Sequence, residues 1–227
     1  MQAVILAAGL GTRMGELTKE RPKPLLTIEN RTLLEHNLLV LPNDIDEVIL
    51  VVGYLKDQIT ETVGSRFLDK KVTYIVQEEL KGTGHALSLC KEVLRGKFLV
   101  LMADDLYPKK DLEKLISYPL ALLAYELPKG TNGSDSWAEI ILNGKSSVSE
   151  ILERRPARPG MLVNCGAYVL DNGYFKYPLK LAGNKTREFG LPQTMMQIVE
   201  AGRELNIVRA TDWHRVTSPE DLKIVSK

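Results

Sequence analysis

Apolar runs of about six residues alternate along the first half of the chain with segments whose apolar residues recur at helical spacing. The runs predict buried strands at Ala3–Ala8, Glu47–Gly53, Val72–Gln77, Phe98–Met102 and Leu120–Glu126. The segments between them predict helices at Thr32–Leu41, Lys56–Val63, His85–Leu94 and Asp111–Ile116. Strands that are apolar on both faces and alternate with helices are typical of a mostly parallel sheet flanked by helices. The pattern therefore predicts an α/β fold.

The pattern changes after about residue 127. Asn143-Gly144, a strong turn signal, separates two alternating runs and predicts a small β-hairpin region. The predicted elements here are hairpin strands Ala138–Leu142 and Ser147–Leu152, a basic loop Arg154–Pro159, a strand Leu162–Leu170, a helix Leu191–Ala201, a strand Asn206–Ala210 and a helix Ser218–Lys227. Because composition does not break between the two halves, we expect one domain over residues 1–227.

Composition narrows the classes of function. The chain has 30 basic and 29 acidic residues and a net charge of +1, which argues against a nucleic-acid or membrane surface. Its two cysteines, Cys90 and Cys165, form no disulfide framework or metal pattern. The first apolar run is too short for a membrane span and lacks a basic leader. We therefore expect a cytoplasmic protein.

The stretch from Met1 to Pro24 carries the strongest candidate chemistry. Its predicted strand runs into Gly9-Leu10-Gly11-Thr12-Arg13, a glycine-rich turn that bears a cation. A second cation, Lys23, lies between two prolines that stiffen its backbone. Such a turn can bring backbone N–H groups and two positive charges onto a polyphosphate. We interpret it as a site for a nucleoside triphosphate.

Other polar residues follow the predicted strands at the same end. Gln77 ends one strand, and Asp104 and Asp105 follow another. Ligands of open parallel sheets bind beyond the carboxyl ends of the strands. These residues and Gly9–Arg13 are therefore expected to share one site.

Two common nucleotide patterns are absent from the opening stretch. Gly9-Leu10-Gly11 begins the dinucleotide pattern G-x-G-x-x-G, but Met14 occupies its last position. No P-loop pattern is present either. The alternative to a triphosphate site is a turn whose glycines serve only the backbone conformation. Arg13 and Lys23 would then be ordinary surface cations.

The motifs together resemble the sugar-1-phosphate nucleotidyltransferases, which join a nucleoside triphosphate to a sugar phosphate. The first motif, LAAGLGTRM at residues 6–14 followed by Pro22-Lys23-Pro24, resembles the family signature. Further segments follow in the family's order and are Gln77 with Gly82-Thr83-Gly84-His85-Ala86, Met102–Leu106, Glu153-Arg154, Val163–Gly166 and Trp213–Leu222. The resemblance implies a Rossmann-like fold of the nucleotide-diphospho-sugar transferase type. It also implies a nucleotide-binding half (residues 1–126) and a sugar-phosphate-binding half (residues 127–227).

The resemblance implies roles for individual residues. The nucleotide-binding residues would be Leu6, Ala8, Gly9, Gly11, Thr12, Arg13, Gln77, Gly82 and Thr83. The catalytic residues would be Arg13, Lys23 and Asp104, with Asp104 also the ligand of Mg²⁺. The acceptor-binding residues would be Ala138, Glu153, Arg154, Asn164 and Gly166. The segment at residues 82–86 resembles the uridylyl-transferring members most, and His85 is interpreted as structural.

Each assignment has a simpler alternative. Thr83 can cap a helix, and Asp104 can be a helix cap or a solvated charge. The arginines from Arg154 to Arg158 can form a solvated basic loop.

The chain departs from the family at its C-terminal motif. The position of the family's second metal-binding aspartate holds Arg215, and Thr217 stands where the family has glycine. A guanidinium cannot bind a cation. Four alternatives stay open: Asp104 and phosphates hold the metal alone, Asp212 or another carboxylate replaces the missing ligand, Arg215 neutralises phosphate charge, or the protein is a catalytically weak relative.

The expected partners are a nucleoside triphosphate, UTP in the first place, and glucose-1-phosphate or N-acetylglucosamine-1-phosphate, without nucleic acid or membrane. Alternatives are dTTP or CTP, a non-sugar acceptor such as phosphocholine, and a non-catalytic binder of nucleotide sugars. Oligomeric state stays open, a homo-oligomer being one alternative.

Overall fold

The structure is a computed structural model that describes residues 1–131, 133–144, 146–183 and 186–225. Its strands are β1 (Gln2–Ala7), β2 (Thr27–Ile28), β3 (Arg31–Thr32), β4 (Glu47–Val52), β5 (Arg66–Phe67), β6 (Lys70–Val76), β7 (Lys97–Met102), β8 (Asp105–Leu106), β9 (Ala121–Glu126), β10 (Gly133–Asn143), β11 (Ser147–Ala157), β12 (Leu162–Asp171), β13 (Asn206–Arg209) and β14 (His214–Arg215). Its α-helices are α1 (Leu33–Leu39), α2 (Lys56–Val63), α3 (Thr83–Ser88), α4 (Lys109–Ile116), α5 (Leu191–Glu200) and α6 (Pro219–Val225).

Ten of these strands form one sheet, in the order β10-β11-β13-β9-β12-β7-β1-β4-β6-β5. β1 pairs in parallel with β4 and with β7, and β4 pairs in parallel with β6. The carboxyl ends of these four strands therefore lie along one edge of the sheet. Every element that the pattern predicts in the first half is present.

The helices cover the two faces of the sheet because residues of each central strand point alternately to either face. Ile5 of β1 packs in a core with the apolar sides of α1, α2 and α4. Val4 and Leu6 point the other way and pack with α3 and α5. The α/β prediction is confirmed.

The second half adds mostly antiparallel strands. β12 lies antiparallel between β7 and β9, and β10 and β11 form a long antiparallel hairpin. β13, in contrast, pairs in parallel with β9. The parallel character is thus concentrated in the first half of the chain.

The structure corrects the prediction of a loop over Arg154–Pro159. β11 continues to Ala157, and Arg155 and Pro156 are paired with β10. The physical reason is Glu139, a carboxylate of β10 that is only 3% exposed. Arg158 binds Glu139 with two guanidinium nitrogens, and Arg155 lies 3.7 Å from it. A buried carboxylate requires such partners, so Arg155 and Arg158, although half-exposed, pair with Glu139.

Other elements also differ from the prediction in their boundaries. The predicted helix His85–Leu94 is shorter at its end, since α3 finishes at Ser88 and the following amides bond three residues back, as from Cys90 to the carbonyl of Leu87. The stretch after β1 contains short 3-10 helices at Thr12–Thr18 and Lys23–Leu25. The predicted C-terminal helix is present as α6, and its residues 226 and 227 lie outside the described part.

No helix in the described residues has the length and apolarity needed to cross a membrane.

Candidate active site

A cleft of about 650 Å³ lies at the carboxyl ends of β1, β6 and β7. It contains every residue predicted for nucleotide binding and catalysis. Its lining residues include Leu6, Ala8, Gly9, Gly11, Thr12, Arg13, Lys23, Gln77, Gly82, Thr83, Asp104, Asp105, Glu188, Arg215 and Thr217. The structure thus brings together three segments that the sequence placed at one edge of the sheet.

The glycine-rich turn is held tightly against Lys23. Gly11 has a left-handed backbone (φ +68°), and a Cβ there would lie 2.9 Å from the Cβ of Lys23. The hydroxyl of Thr18 donates to the carbonyl oxygen of Gly11 at 3.0 Å. Tyr54, which follows β4, fixes the far side of the turn by donating its hydroxyl to the carbonyl of Thr18 at 3.0 Å. Only glycine fits such a close approach with that backbone.

The two cations of this stretch differ in their surroundings. Lys23 is only 6% exposed, and its Nζ lies 2.5 Å from Oδ2 of Asp104. Arg13 is exposed and makes no ion pair with any residue of the described part. Lys23 is therefore fixed by the protein, whereas the guanidinium of Arg13 is available to a ligand.

Asn37 of α1 anchors the segment that carries Asp104. Its side-chain amide donates to the carbonyl of Asp105 at 2.9 Å and to that of Leu33 at 3.0 Å. The side chain of Asn37 is buried on the apolar face of α1. This residue was not predicted from the sequence, although a polar side chain among the helically spaced leucines was the available signal.

Asp105 differs from Asp104 in its exposure. Its side chain is buried, whereas that of Asp104 is 37% exposed. Burial raises the pKa of Asp105 well above its usual range, with a further contribution from the negative charge of Asp104, while Lys23 opposes the shift. Asp104 is thus the better placed of the two to meet a ligand as a carboxylate.

Arg215 lies beside these carboxylates. In the β8–β14 pair it stands opposite Asp105. Its guanidinium stacks over the ring of Trp137 at 3.8 Å, and a nitrogen donates to the carbonyl of Ser136 at 3.3 Å. The Trp137 ring meets Trp213 edge-on at 6.0 Å. A stacked guanidinium keeps its charge and is held flat, so the side chain of Arg215 is a fixed cation on a residue that lines the cleft.

The wall formed by residues 77–83 is joined to a segment for which the sequence predicted no role. The amide of Gly84 donates to the carbonyl of Phe189 at 2.8 Å, and the amide of Phe189 donates to that of Lys81 at 2.7 Å. Glu188 and Phe189 line the cleft. The hydroxyl of Thr83 accepts from the amide of Leu191, so it caps α5. No sequence pattern indicated that Glu188 and Phe189 line the cleft.

The predicted acceptor-binding residues lie outside the cleft lining. Between Trp137 and Glu139, the single residue Ala138 stands opposite both Glu153 and Arg154, which form a β-bulge. Arg154 has a left-handed backbone (φ +58°), which is uncommon for a residue other than glycine. Bulges of this kind redirect side chains next to binding sites. Oε1 of Glu153 accepts from Gln193 of α5 at 3.0 Å.

A second irregularity lies in β12, whose register with β9 shifts between Asn164 and Tyr168. The amide of Gly166 donates to Oδ1 of Asn164 at 3.1 Å, and Gly166 has φ +73°. A Cβ at Gly166 would lie 2.7 Å from Cγ of Met102, a residue that lines the cleft. This part of β12 therefore lies against the floor of the cleft.

We expect Gly166→Ala to lose about 1–3 kcal/mol of stability beyond the cost of its strained backbone, because the new methyl group overlaps Met102. Gly160→Ala is the matched control, since Gly160 has nearly the same φ (+71°) and a Cβ there would meet no heavy atom of the described residues within 4 Å. Urea unfolding of both variants measures the difference. Equal losses in the two variants would contradict the close contact at Met102.

The donor set of the cleft fits a Mg²⁺ that is shared with substrate. Within the described residues, no three Asp, Glu, His or Cys side chains lie close enough to hold a metal ion alone. Asp104 offers one partly exposed carboxylate, and Mg²⁺ commonly takes one or two carboxylates plus phosphate oxygens. Asp212 does not line the cleft and lies beside His214, at 3.3 Å. The site thus fits a metal held by Asp104 and phosphates.

Comparison with known proteins decides the family. Residues 2–226 match the family described as "Nucleotidyl transferase". The chain belongs to this family. The resemblance drawn from its motifs is confirmed.

Individual relatives are similar over the whole chain. A bifunctional GlmU protein of Methanococcus maripaludis is 29% identical over 239 residues, which cover 100% of this chain and 56% of that protein. The UTP–glucose-1-phosphate uridylyltransferase AglF of Haloferax volcanii is 25% identical, with 97% of this chain and 93% of that protein covered. A Bacillus anthracis structure, solved as a glucose-1-phosphate thymidylyltransferase, has a TM-score of 0.82 at 21% identity and covers 100% and 94% of the two chains. The chain spans a little over half of the length of the GlmU relatives it matches.

Proposed function

We propose that this protein transfers a nucleotidyl group, UMP from UTP in the first place, to a sugar-1-phosphate and releases pyrophosphate. The acceptor would be glucose-1-phosphate or N-acetylglucosamine-1-phosphate. The family, and the activity of the relative AglF as a UTP–glucose-1-phosphate uridylyltransferase, support this class of reaction.

The observation that carries the proposal is the contact between Lys23 and Asp104, 2.5 Å apart in the cleft that the glycine-rich turn also lines. A triphosphate lying along Gly11–Arg13 would place its reacting phosphate beside this pair. The ammonium of Lys23 can neutralise charge on that phosphate, and the carboxylate of Asp104 can share a metal with it.

The proposed mechanism requires no protein nucleophile. A sugar-1-phosphate is largely dianionic at neutral pH, because the second pKa of phosphate monoesters is about 6. One of its oxygens attacks the α-phosphorus of the triphosphate in line, and the bond to the β-phosphate breaks as pyrophosphate leaves. Arg13 would bind the β- and γ-phosphates, and Lys23 would stabilise the charge at the α-phosphate. A bound Mg²⁺ would supply further charge neutralisation next to Asp104.

The acceptor would lie on the side of the β-bulge in β11 and the irregularity in β12. Glu153 would bind sugar hydroxyls, Arg154 would meet the sugar phosphate, and Asn164, Gly166 and Ala138 would border the ring. The left-handed backbone of Arg154 supports a functional position, since such strain is concentrated at binding sites.

A second candidate is a non-catalytic relative that binds nucleotides or nucleotide sugars. The observation that favours it is Arg215, which places a cation where the family has its second metal-binding aspartate. Variants of the main proposal use dTTP or CTP, or a non-sugar acceptor such as phosphocholine.

A screen of pyrophosphate release tests these candidates together. The assay combines UTP, dTTP and CTP with glucose-1-phosphate, N-acetylglucosamine-1-phosphate and phosphocholine, and detects product through inorganic pyrophosphatase. We expect the fastest release with UTP and one of the sugar phosphates. Binding of UTP without pyrophosphate release for any pair would overturn the catalytic proposal in favour of the binder.

A further inference from the structure

The side-chain amide of Gln77 is held at two points in the wall of the cleft. Its nitrogen donates to the carbonyl oxygen of Gly82 at 3.1 Å and lies 3.0 Å from Nδ1 of His85. The residue is only 4% exposed, yet it lines the cleft. The amide is therefore part of the wall rather than a mobile surface group.

The carbonyl of Gly82 determines which end of the amide faces it. A carbonyl oxygen can only accept, so the NH₂ end of Gln77 must point to Gly82. The second amide hydrogen then points to Nδ1 of His85, which accepts it when the ring proton is on Nε2. Both donors of the amide are used inside the protein.

The oxygen of the amide is the group that is left for a ligand. Within the described residues, no hydrogen bond reaches Oε1 of Gln77. Because the two donors are occupied, Gln77 can meet a bound base only as an acceptor. Glutamine in general offers either end, so the restriction comes from Gly82 and His85.

We propose that His85 is a positioning residue that fixes the Gln77 amide with its oxygen toward the base, and that this makes the cleft prefer UTP or dTTP to CTP. The inference rests on the proposed function and on the expected nucleotide-binding role of Gln77, which we take to meet the pyrimidine base. N3 of uracil and thymine carries a hydrogen that can donate to Oε1. N3 of cytosine carries a lone pair instead, which would face the lone pairs of Oε1.

The test measures binding of UTP and CTP by calorimetry without any sugar phosphate, so that its readout does not depend on turnover. His85→Phe keeps a ring but removes the acceptor, so one of the two bonds that fix the amide is lost. We expect the ratio of UTP to CTP affinity to fall about fivefold, in line with the loss of one neutral hydrogen bond. His85→Asn, whose amide oxygen can replace Nδ1 as acceptor, should keep most of the preference.

Ser88→Ala is the matched control on the same helix. Its hydroxyl donates to the backbone carbonyl of His85 at 2.7 Å, so its loss disturbs α3 without touching the Gln77 amide. We expect an unchanged ratio in this variant. Thermal unfolding confirms that each variant is folded, and His85→Ala provides the same comparison with a smaller side chain.

Two results would overturn this proposal and leave the proposed function standing. One is wild-type protein that binds CTP as tightly as UTP, and the other is an unchanged ratio of UTP to CTP affinity in folded His85→Phe and His85→Ala. A protein that binds neither triphosphate would overturn the proposed function as well, so the two failures are distinguishable.

Discussion

Asp104→Asn lowers kcat/KM for pyrophosphate release by roughly 10³-fold while the fold is retained, if Asp104 carries the role proposed for it. The amide keeps the shape of the side chain and an oxygen that can still accept from Lys23, but it removes the negative charge. A shared Mg²⁺ then loses the carboxylate of Asp104, and Lys23 loses its counter-charge. Because Lys23 is only 6% exposed, the loss of its counter-charge also lowers the free energy of unfolding. Steady-state kinetics and thermal unfolding measure the two effects separately.

Asp212→Asn is the control for this experiment. Asp212 is exposed, accepts from the amide of Trp213 at 2.9 Å and lies outside the lining of the cleft. Wild-type activity in Asp212→Asn would exclude it as the replacement for the missing metal ligand. Undiminished activity in Asp104→Asn, or a large loss in Asp212→Asn, would contradict the assignment of Asp104.

The parallel half of the fold could be predicted because its strands are buried on both faces. Runs such as Glu47–Gly53 contain almost only apolar residues, and each is followed by a segment with helical spacing. The polar residues at the ends of such strands must then lie at one edge of the sheet. That is why Gly9–Arg13, Gln77 and Asp104 could be assigned to a common site before their contacts were known.

The second half was less predictable because its contacts join residues that are distant in sequence. Pairing of Arg155 and Arg158 with Glu139 depends on the register of β10 and β11, so the sequence alone indicated a basic loop. The part of the wall at Glu188 and Phe189 is held by backbone hydrogen bonds of Phe189 to Lys81 and Gly84. Such bonds require no particular side chains, so no sequence pattern indicates them.

The contacts of Arg215 were unpredictable for the same reason, because they join residues that are distant in sequence. The motif resemblance implies that Arg215 stands where the family has an aspartate, but it left the consequence of that change open. The stack on Trp137 and the pairing of its strand with Asp105 hold the guanidinium at the cleft. The contact with Trp137 joins residues on β10 and β14, which no local pattern connects. From these contacts we propose the alternative in which Arg215 neutralises phosphate charge.

Arg215→Ala therefore lowers kcat/KM by about 10²-fold, as expected when a fixed cation at a developing phosphate charge is removed. Arg215→Lys should recover only part of the loss, because an ammonium cannot lie flat on Trp137 and lacks the planar fork with which a guanidinium binds two phosphate oxygens. Arg215→Asp should be at least as slow as Arg215→Ala, since it removes the cation and adds a negative charge beside Asp104 and Asp105, which repels the phosphates. Activity measured against Mg²⁺ concentration distinguishes these expectations.

Arg209→Ala is the matched control for the loss of an arginine. Arg209 is exposed at the end of β13, pairs with Glu126 and lies outside the lining of the cleft, so its removal should leave the kinetics unchanged. The outcome that would contradict a phosphate-binding Arg215 is a faster Arg215→Asp variant with a lower Mg²⁺ requirement. Position 215 would then be one that has lost a metal-binding carboxylate, and Arg215 would not take over its role. The reason is that only a restored carboxylate can strengthen the binding of Mg²⁺. The charge that neutralises the phosphates would in that case rest on Arg13 and Lys23 alone.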